Sequence, residues 1–304
     1  MLQLIHLSDC HLTPLSHVKW HKLLNKRCLG YLNWHLSRKA IHQRDILSAI
    51  VKDIKQKNSD HTIVTGDLVN LALPEEFEEA KNWLQDLGTP ETVSVVPGNH
   101  DAYVAPQKGS GYHLWHPFMT SNTDIAQSQR KESFPYIRFL KEKVALIGVS
   151  SGVPTPYFMA TGLLGDEQCE NLDKVLKTLK QQNMFRILLI HHPPLAHQAA
   201  NHKSLKDHKA LYEIIKTHGA EIILHGHNHE FSHITISTPS YKDITHIIGA
   251  PSASSSHSSL DKCAGYNRLS IEQHQGGWMC QMICRGRHNQ SENLSDIHKT
   301  LLLS

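Results

Sequence analysis

Short apolar runs along the chain predict buried strands. In the first three quarters of the sequence these runs cover residues 2–7, 62–65, 93–96, 144–149, 187–190 and 222–224. Each run is too short for a helix and ends near Gly, Pro, Asp or His. Between the runs, apolar residues recur at helical spacing, as at Ile46, Ile50 and Ile54. A strand that alternates with a helix in this way predicts an α/β core.

The pattern changes after Glu230. Residues 231–236, 244–248, 266–271 and 278–283 are strand-like, and no helical pattern separates them. We expect these strands to be antiparallel and to complete a second sheet. Residues 1–285 would then form a single domain, and the polar residues 286–304 would form a C-terminal tail.

Composition narrows the class of protein only slightly. With 39% hydrophobic residues, 19% charged residues and a net charge of +3, the chain resembles an ordinary globular protein and gives little support to nucleic-acid binding. The six cysteines have irregular spacing, which argues against a disulfide framework or a thiolate zinc site. The N-terminus shows no signal-peptide pattern, and no apolar run approaches the roughly 18 residues of a membrane span. We therefore expect a cytoplasmic protein, and contact with the inner face of the membrane is left open.

Polar residues directly follow the first two predicted strands. Asp9 and His11 are two positions apart, so both point to the same side and together form a plausible pair of metal ligands. Alone this pair is weak evidence, because D-x-H is common by chance. After the second strand, Gly66 allows a close turn, and the two oxygens of Asp67 can bridge two cations.

Three further motifs follow later strands. Residues 97–101 read PGNHD, in which Asn99 offers a carbonyl oxygen and His100 an acid or base. A Pro-Gly-Asn turn without any ligand role is the alternative for this segment. Residues 191–194 read HHPP, and residues 225–229 read HGHNH. Three histidines in five residues after a buried strand are hard to explain by packing.

The ordered set D-x-H, G-D, G-N-H-D, H-H-P-P and G-H-x-H resembles the calcineurin-like metallophosphoesterase family. Within it, the resemblance is to the branch of class III cyclic nucleotide phosphodiesterases and glycerophosphodiesterases, and it extends from residue 2 to about residue 250. It implies a four-layer α/β/β/α sandwich, in which helices flank two mixed β-sheets. The motifs would then meet at the carboxyl ends of the strands.

The resemblance also implies two metal sites that share Asp67. The first would comprise Asp9, His11, Asp67 and His229. The second would comprise Asp67, Asn99, His191 and His227. His192 is the alternative to His191 as a ligand. The oxygen and nitrogen ligands suit two divalent ions of manganese, iron or zinc, and the sequence does not distinguish among these metals.

The same resemblance implies hydrolysis at phosphorus by a metal-activated hydroxide, for which two ions about 3.5–4 Å apart are suited. His100, oriented by Asp101, would contact the phosphate and protonate the leaving alkoxide. These two residues are the catalytic candidates.

Two long segments interrupt the regular pattern. Residues 12–44 contain seven Lys or Arg, no acidic residue and several interleaved aromatic residues. This segment is either a basic flap that meets an anionic substrate or membrane, or a basic helix whose apolar face packs on the core. Residues 102–135 form either a cap over the pocket or a loop packed on itself.

Three functions fit these features. The leading one is hydrolysis of a phosphodiester of the cyclic nucleotide or glycerophosphodiester type. The second is cleavage of a nucleotide-linked lipid pyrophosphate, such as UDP-diacylglucosamine, at a membrane surface, which the basic flap favours. The third is a non-catalytic metal-binding scaffold, against which the intact ligand set argues. The sequence gives no guide to oligomeric state.

Overall fold

The computed structural model describes residues 1–12, 15, 18, 23, 27–104, 110–123, 134–237, 244–275, 277–288 and 293–303. The strands are β1 (Leu2–Leu7), β2 (His61–Val64), β3 (Val93–Val95), β4 (Tyr136–Phe139), β5 (Val144–Gly148), β6 (Phe185–Leu189), β7 (Ile222–His225), β8 (Ser232–Ser237), β9 (Ile244–Gly249), β10 (Gly265–His274), β11 (Gly277–Gly286) and β12 (Ser295–Leu303). The α-helices are α1 (Arg27–Asn33), α2 (Lys39–Ile41), α3 (Arg44–Lys55), α4 (Pro74–Leu87), α5 (Asp166–Gln181) and α6 (His208–His218).

The strands form two mixed six-stranded sheets. The order is β12-β11-β10-β1-β2-β3 in the first sheet and β4-β5-β6-β7-β9-β8 in the second. Strands β1, β2 and β3 are parallel, as are β5, β6, β7 and β9, while the remaining pairings are antiparallel. The parallel strands place their carboxyl ends at one edge of each sheet, where the polar motifs begin.

Two large hydrophobic clusters hold the layers together. One joins residues of both sheets, such as Leu4 and Ile187, with apolar residues of α3 and α4. The other packs the second sheet against α5 and α6, as Ile223 packs near Leu172 and Leu211. Full burial of a leucine contributes about 1.5–3 kcal/mol, so both helical layers are strongly attached. The architecture confirms the predicted four-layer α/β/β/α sandwich.

The C-terminal strands are distributed differently from the expectation. Only β8 and β9 join the second sheet, whereas β10, β11 and β12 extend the first. Strand β12 lies in the segment that the sequence suggests is a polar tail. Its side chains are exposed or half-buried, except for Leu302, which is buried. Backbone pairing with β11, rather than a hydrophobic pattern, therefore defines this edge strand.

The two long segments are partly described. In residues 12–44, a π-helical turn (Trp34–Arg38) links α1 to α2, and Trp34 is buried beside Leu15, Leu71 and Leu73. Residues 13–14, 16–17, 19–22 and 24–26 of the predicted flap lie outside the described residues. In the predicted cap, a 3₁₀ helix (Gly111–Met119) buries Trp115, whose Nε1 donates to the carbonyl oxygen of Phe77 at 3.1 Å. Residues 105–109 and 124–133 of that cap also lie outside the described part.

Candidate metal centre

The five polar motifs meet where the two sheets adjoin. The backbone N–H of Asp9 donates to the carbonyl oxygen of Gly66 at 3.0 Å, which joins the ends of β1 and β2. The N–H of Gly226 donates to the carbonyl oxygen of His191 at 3.1 Å, which joins the ends of β6 and β7. The N–H of His227 donates to Oδ2 of Asp9 at 3.0 Å and connects the two sheets. The motif residues are thus assembled by backbone contacts.

One group of side chains gathers around the end of β1. Asp9, His11, Asp67 and His229 offer ligand atoms that all lie within 4.8 Å of one another. Nε2 of His11 is 3.3 Å from Nε2 of His229, and this second nitrogen is 3.1 Å from Oδ1 of Asp9. Two imidazole nitrogens and a carboxylate that converge in this way fit a divalent cation.

A second group lies on the other side of Asp67. Asp67, His191 and His227 offer ligand atoms within 4.8 Å of one another. Nε2 of His191 is 3.4 Å from Oδ2 of Asp67, 3.2 Å from Oδ1 of Asn99 and 3.2 Å from Nδ1 of His227. Asp67 belongs to both groups, so its position suits a carboxylate that bridges two cations.

The two histidines of the H-H-P-P motif have different surroundings. His191 faces Asp67, as described above. His192 points elsewhere, because its Nδ1 is 2.8 Å from Oγ of Ser151 and its Nε2 is 3.2 Å from the carbonyl oxygen of Ala160. Both nitrogens of His192 are therefore engaged, and the geometry favours His191 as the ligand. His225, also buried, stands outside both groups.

The buried carboxylates favour a positive charge at His191. Burial alone would raise the pKa of Asp67, but His191 and His100 lower that pKa well below its ordinary value. Although burial opposes protonation of His191, Asp67 and Asp9 raise the pKa of His191 to about 9. Buried carboxylates that stabilise a positive charge on a histidine would also stabilise a bound cation, as a metal site requires.

Five of the seven predicted ligands have a strained backbone. Asp9, His11, Asp67, His227 and His229 all have positive φ angles, between 40° and 70°. Residues with a side chain seldom adopt this left-handed conformation, which costs on the order of 1 kcal/mol each. Such strain clusters at functional sites, where the surrounding structure holds a side chain in the position that the chemistry needs.

The carboxylate of Asp101 binds backbone rather than the His100 ring. Its Oδ2 accepts the N–H groups of Asp67 and Gly98, both at 2.8 Å. Its Oδ1 accepts those of Leu68 at 3.0 Å and Val69 at 3.1 Å. Burial and the charge of Asp67 raise the pKa of Asp101 to about 7. The N–H donors stabilise the carboxylate form and lower this pKa, but their effect is smaller. The described contacts give Asp101 the task of shaping the loop around Asp67.

His100 is oriented by a different group. Its Nδ1 is 2.6 Å from the carbonyl oxygen of Asn70, so the hydrogen bond assigns the proton to Nδ1. Its Nε2 lies within hydrogen-bond distance of Nη1 of Arg38, and its ring stacks on Tyr103 with centroids 5.8 Å apart. Burial and the charge of Arg38 lower the pKa of His100 to about 3. The neutral ring therefore presents an unprotonated Nε2 to Arg38.

Two residues at the centre lack any sequence motif. Arg38 appears in the sequence only as one basic residue of the flap. His42 lies with its ring centroid 4.3 Å from that of His11, and its Nδ1 is 2.8 Å from Oγ of Ser254. His42 also forms a ligand-capable group with His11 and His229. Both residues lie far from their contacts along the chain, so no local spacing could identify them.

Two cavities open beside the candidate centre. The larger, about 540 Å³, is lined by apolar and aromatic residues that include Leu29, Tyr157 and Phe158. The smaller, about 470 Å³, is lined by polar residues that include Asn228 and Lys262. Arg38, Asn99 and His100 line both cavities, so a group bound beside His100 has space on two sides.

Oxygen and nitrogen side chains that could hold a metal ion thus gather at the carboxyl ends of the strands of an α/β sandwich, an arrangement typical of metal-dependent hydrolases. The family model described as calcineurin-like phosphoesterase matches residues 2–231. The chain belongs to this family and is a phosphoric ester hydrolase.

Curated relatives agree with the predicted branch. A protein of Synechococcus sp., named a probable cyclic nucleotide phosphodiesterase, is 24% identical over 238 residues, which cover 77% of this chain and 80% of the relative. A protein of Moraxella catarrhalis with the same description is 29% identical over 184 residues, which cover 60% of this chain and 62% of the relative. A dimetal phosphatase from Danio rerio superposes with a TM-score of 0.58 at 12% identity over 98% of this chain and 99% of the other, which shows a shared fold.

Within the described ranges, no helix combines the length and the apolar content needed to cross a bilayer.

Proposed function

We propose that this chain hydrolyses a phosphodiester of the cyclic nucleotide or glycerophosphodiester type with two divalent metal ions. The observation that carries the proposal is the position of Asp67, which belongs to two groups of candidate ligands. Within each group, the ligand atoms all lie within 4.8 Å of one another. Asp9, His11 and His229 would complete one site, and Asn99, His191 and His227 the other. When bound, such a pair supplies hydroxide at neutral pH and neutralises charge on phosphoryl oxygens.

His100 is the residue proposed to act on the leaving group. The carbonyl oxygen of Asn70 fixes its Nδ1, and its Nε2 faces Arg38, which lines both cavities as His100 does. An anionic phosphate near this nitrogen would favour its protonation, because an opposite charge stabilises the imidazolium form. His100 could then donate that proton to the departing alkoxide oxygen.

A diester, rather than a monoester, is supported by the space around His100. Each ester substituent of a phosphate beside His100 has a cavity of its own, one largely apolar and the other largely polar. The names of the Synechococcus and Moraxella relatives, both probable cyclic nucleotide phosphodiesterases, support the same substrate class.

The experiment compares substrates on protein loaded separately with Mn²⁺, Fe²⁺ or Zn²⁺. Bis-p-nitrophenyl phosphate, 3′,5′-cyclic AMP and a glycerophosphodiester should be hydrolysed faster than p-nitrophenyl phosphate. His191→Ala should reduce the metal content from two ions toward one and lower turnover by at least a hundredfold, whereas His197→Ala, at an exposed position nearby, should change neither. Two bound ions with no turnover of any ester would instead support a non-catalytic scaffold.

A second candidate, cleavage of a nucleotide-linked lipid pyrophosphate, is favoured by the flap. Leu29, Leu32 and Leu36 lie at helical spacing and are 38%, 51% and 83% exposed. Leu29 also lines the larger cavity, so an apolar surface adjoins the proposed centre. Sedimentation with anionic liposomes should distinguish the two candidates. If the enzyme acts on a lipid, the double variant Leu32→Ser, Leu36→Ser should no longer sediment with the liposomes. Hydrolysis of soluble diesters by this double variant should be unchanged.

A further inference from the structure

Arg38 occupies an unusual position in the flap. It is the last residue of the π-helical turn Trp34–Arg38, which joins α1 to α2. A π-helical turn is rare and is found frequently at functional sites, because the extra residue changes the direction of the side chains that follow. Here it accompanies the approach of Arg38 to His100, a residue 62 positions away in the sequence.

The guanidinium of Arg38 has little local compensation for its charge. Its hydrogen-bond contact in the described structure is with the ring of His100, which is neutral. Among the described residues no carboxylate lies within ion-pair distance of Arg38, although Asp67 and Asp9 act on it from further away. A guanidinium has five N–H donors, so most of them remain available toward the two cavities that Arg38 lines.

A positive side chain beside a cation-binding centre is unfavourable unless an anion lies between them. A phosphate group resolves this conflict, because its oxygens accept hydrogen bonds from a guanidinium in a matched geometry. Arg38 lines both cavities, so a diester with one substituent in each cavity would place its phosphate beside Arg38.

We infer that Arg38 binds a non-bridging oxygen of the substrate phosphate and leaves Nε2 of His100 when the substrate enters. The flap thereby contributes a binding residue to the active site, and Nε2 of His100 becomes free to face the leaving oxygen. This inference rests on the proposed function only in that the substrate is a phosphate ester.

The test measures the affinity of metal-loaded protein for inorganic phosphate by isothermal titration calorimetry, together with KM and kcat for bis-p-nitrophenyl phosphate. Arg38→Met should raise the phosphate Kd and the KM at least tenfold, and Arg38→Lys should recover part of both because it keeps the charge. Arg44→Met is the matched control, since Arg44 belongs to the same segment but pairs with Glu79 at the surface, and it should change neither quantity.

Metal content and thermal unfolding are measured on each variant. A phosphate Kd of the wild-type value in a folded, fully loaded Arg38→Met protein would overturn the inference, as would a loss of affinity explained entirely by lost metal. If Arg38→Met does not fold, Arg38→Lys and Arg38→Gln take its place, and a wild-type phosphate Kd in Arg38→Gln would likewise overturn the inference. A wild-type protein that binds phosphate but hydrolyses no ester would contradict the proposed function and leave the Arg38 result interpretable.

Discussion

Replacing Asp101 with asparagine perturbs the loop that presents Asp67. Each carboxylate oxygen of Asp101 accepts two backbone N–H groups, from Asp67 and Gly98 at Oδ2 and from Leu68 and Val69 at Oδ1. Asparagine retains one oxygen, but its amide group places a donor against two other donors. Two buried N–H groups therefore lose their acceptor, whichever way the amide is turned.

Each buried donor that loses its acceptor costs about 1–3 kcal/mol, so Asp101→Asn should cost about 2–6 kcal/mol. The neutral side chain also avoids the burial of a charge near Asp67, which places the expected value at the lower end of this range. A loss of about 2 kcal/mol is a large share of the roughly 5–15 kcal/mol that stabilises a typical domain.

Urea unfolding followed by circular dichroism measures this difference. Asp86→Asn is the matched control, because Asp86 is an exposed residue near the end of α4. The reasoning would be refuted if Asp101→Asn were as stable as this control. It would also be refuted if Asp101→Asn lost turnover with no loss of stability, since that result would assign the carboxylate to the chemistry of His100.

Three further variants test other parts of the structure. Glu76→Gln should lower kcat in steady-state assays, because the Glu76 carboxylate holds the backbone N–H of Asn70, whose carbonyl oxygen orients His100. Gly98→Ala should reduce the metal content measured by mass spectrometry, since a Cβ there would lie 2.2 Å from Oδ1 of Asp67. Asp53→Asn should lower the urea midpoint at pH 7, with a difference that shrinks as the pH falls below about 4.

The sign of the Asp53 effect follows from its pKa. Burial alone would raise that pKa, but hydrogen bonds from Arg285 and Tyr266 lower it below the ordinary value. A depressed pKa gives stability that is present above the pKa of the unfolded state and is lost as the pH falls through the folded-state pKa. A midpoint difference that grew at low pH would contradict this assignment.

Glu75→Gln, in the same turn as Glu76, is the control for the effect of Glu76→Gln on the orientation of His100. Unchanged metal loading in Gly98→Ala would show that Asp67 adapts.

The proximity of the predicted ligands to one another follows from the sequence, because these residues lie close to the ends of strands. Asp9, Asp67 and His191 follow β1, β2 and β6 within a few residues, and the parallel pairing of strands makes such positions converge. The assignment of these residues as ligands stays a prediction until a metal is measured. Their convergence follows from topology, which short apolar runs and intervening helical patterns reveal.

The parts that sequence reasoning missed depend on long-range contacts. Adjacency suggested that Asp101 orients His100, yet the Asp101 carboxylate is bound by backbone N–H groups from two loops. Strand β12 has no apolar alternation that would reveal it in the sequence, and it forms by pairing with β11 at the edge of the first sheet. The contact of Arg38 with His100 depends on a π-helical turn, for which the sequence shows no recognisable signal.

The left-handed backbone of Asp9, His11, Asp67, His227 and His229 bears on how such a protein can evolve. Glycine at any of these positions would relieve the backbone strain, but it would remove a predicted ligand and its contacts, such as the oxygen of Asp9 that accepts the N–H of His227. This chain has two aspartates and three histidines at these five positions, so its metal-binding side chains are presented by backbone conformations that a side chain makes costly.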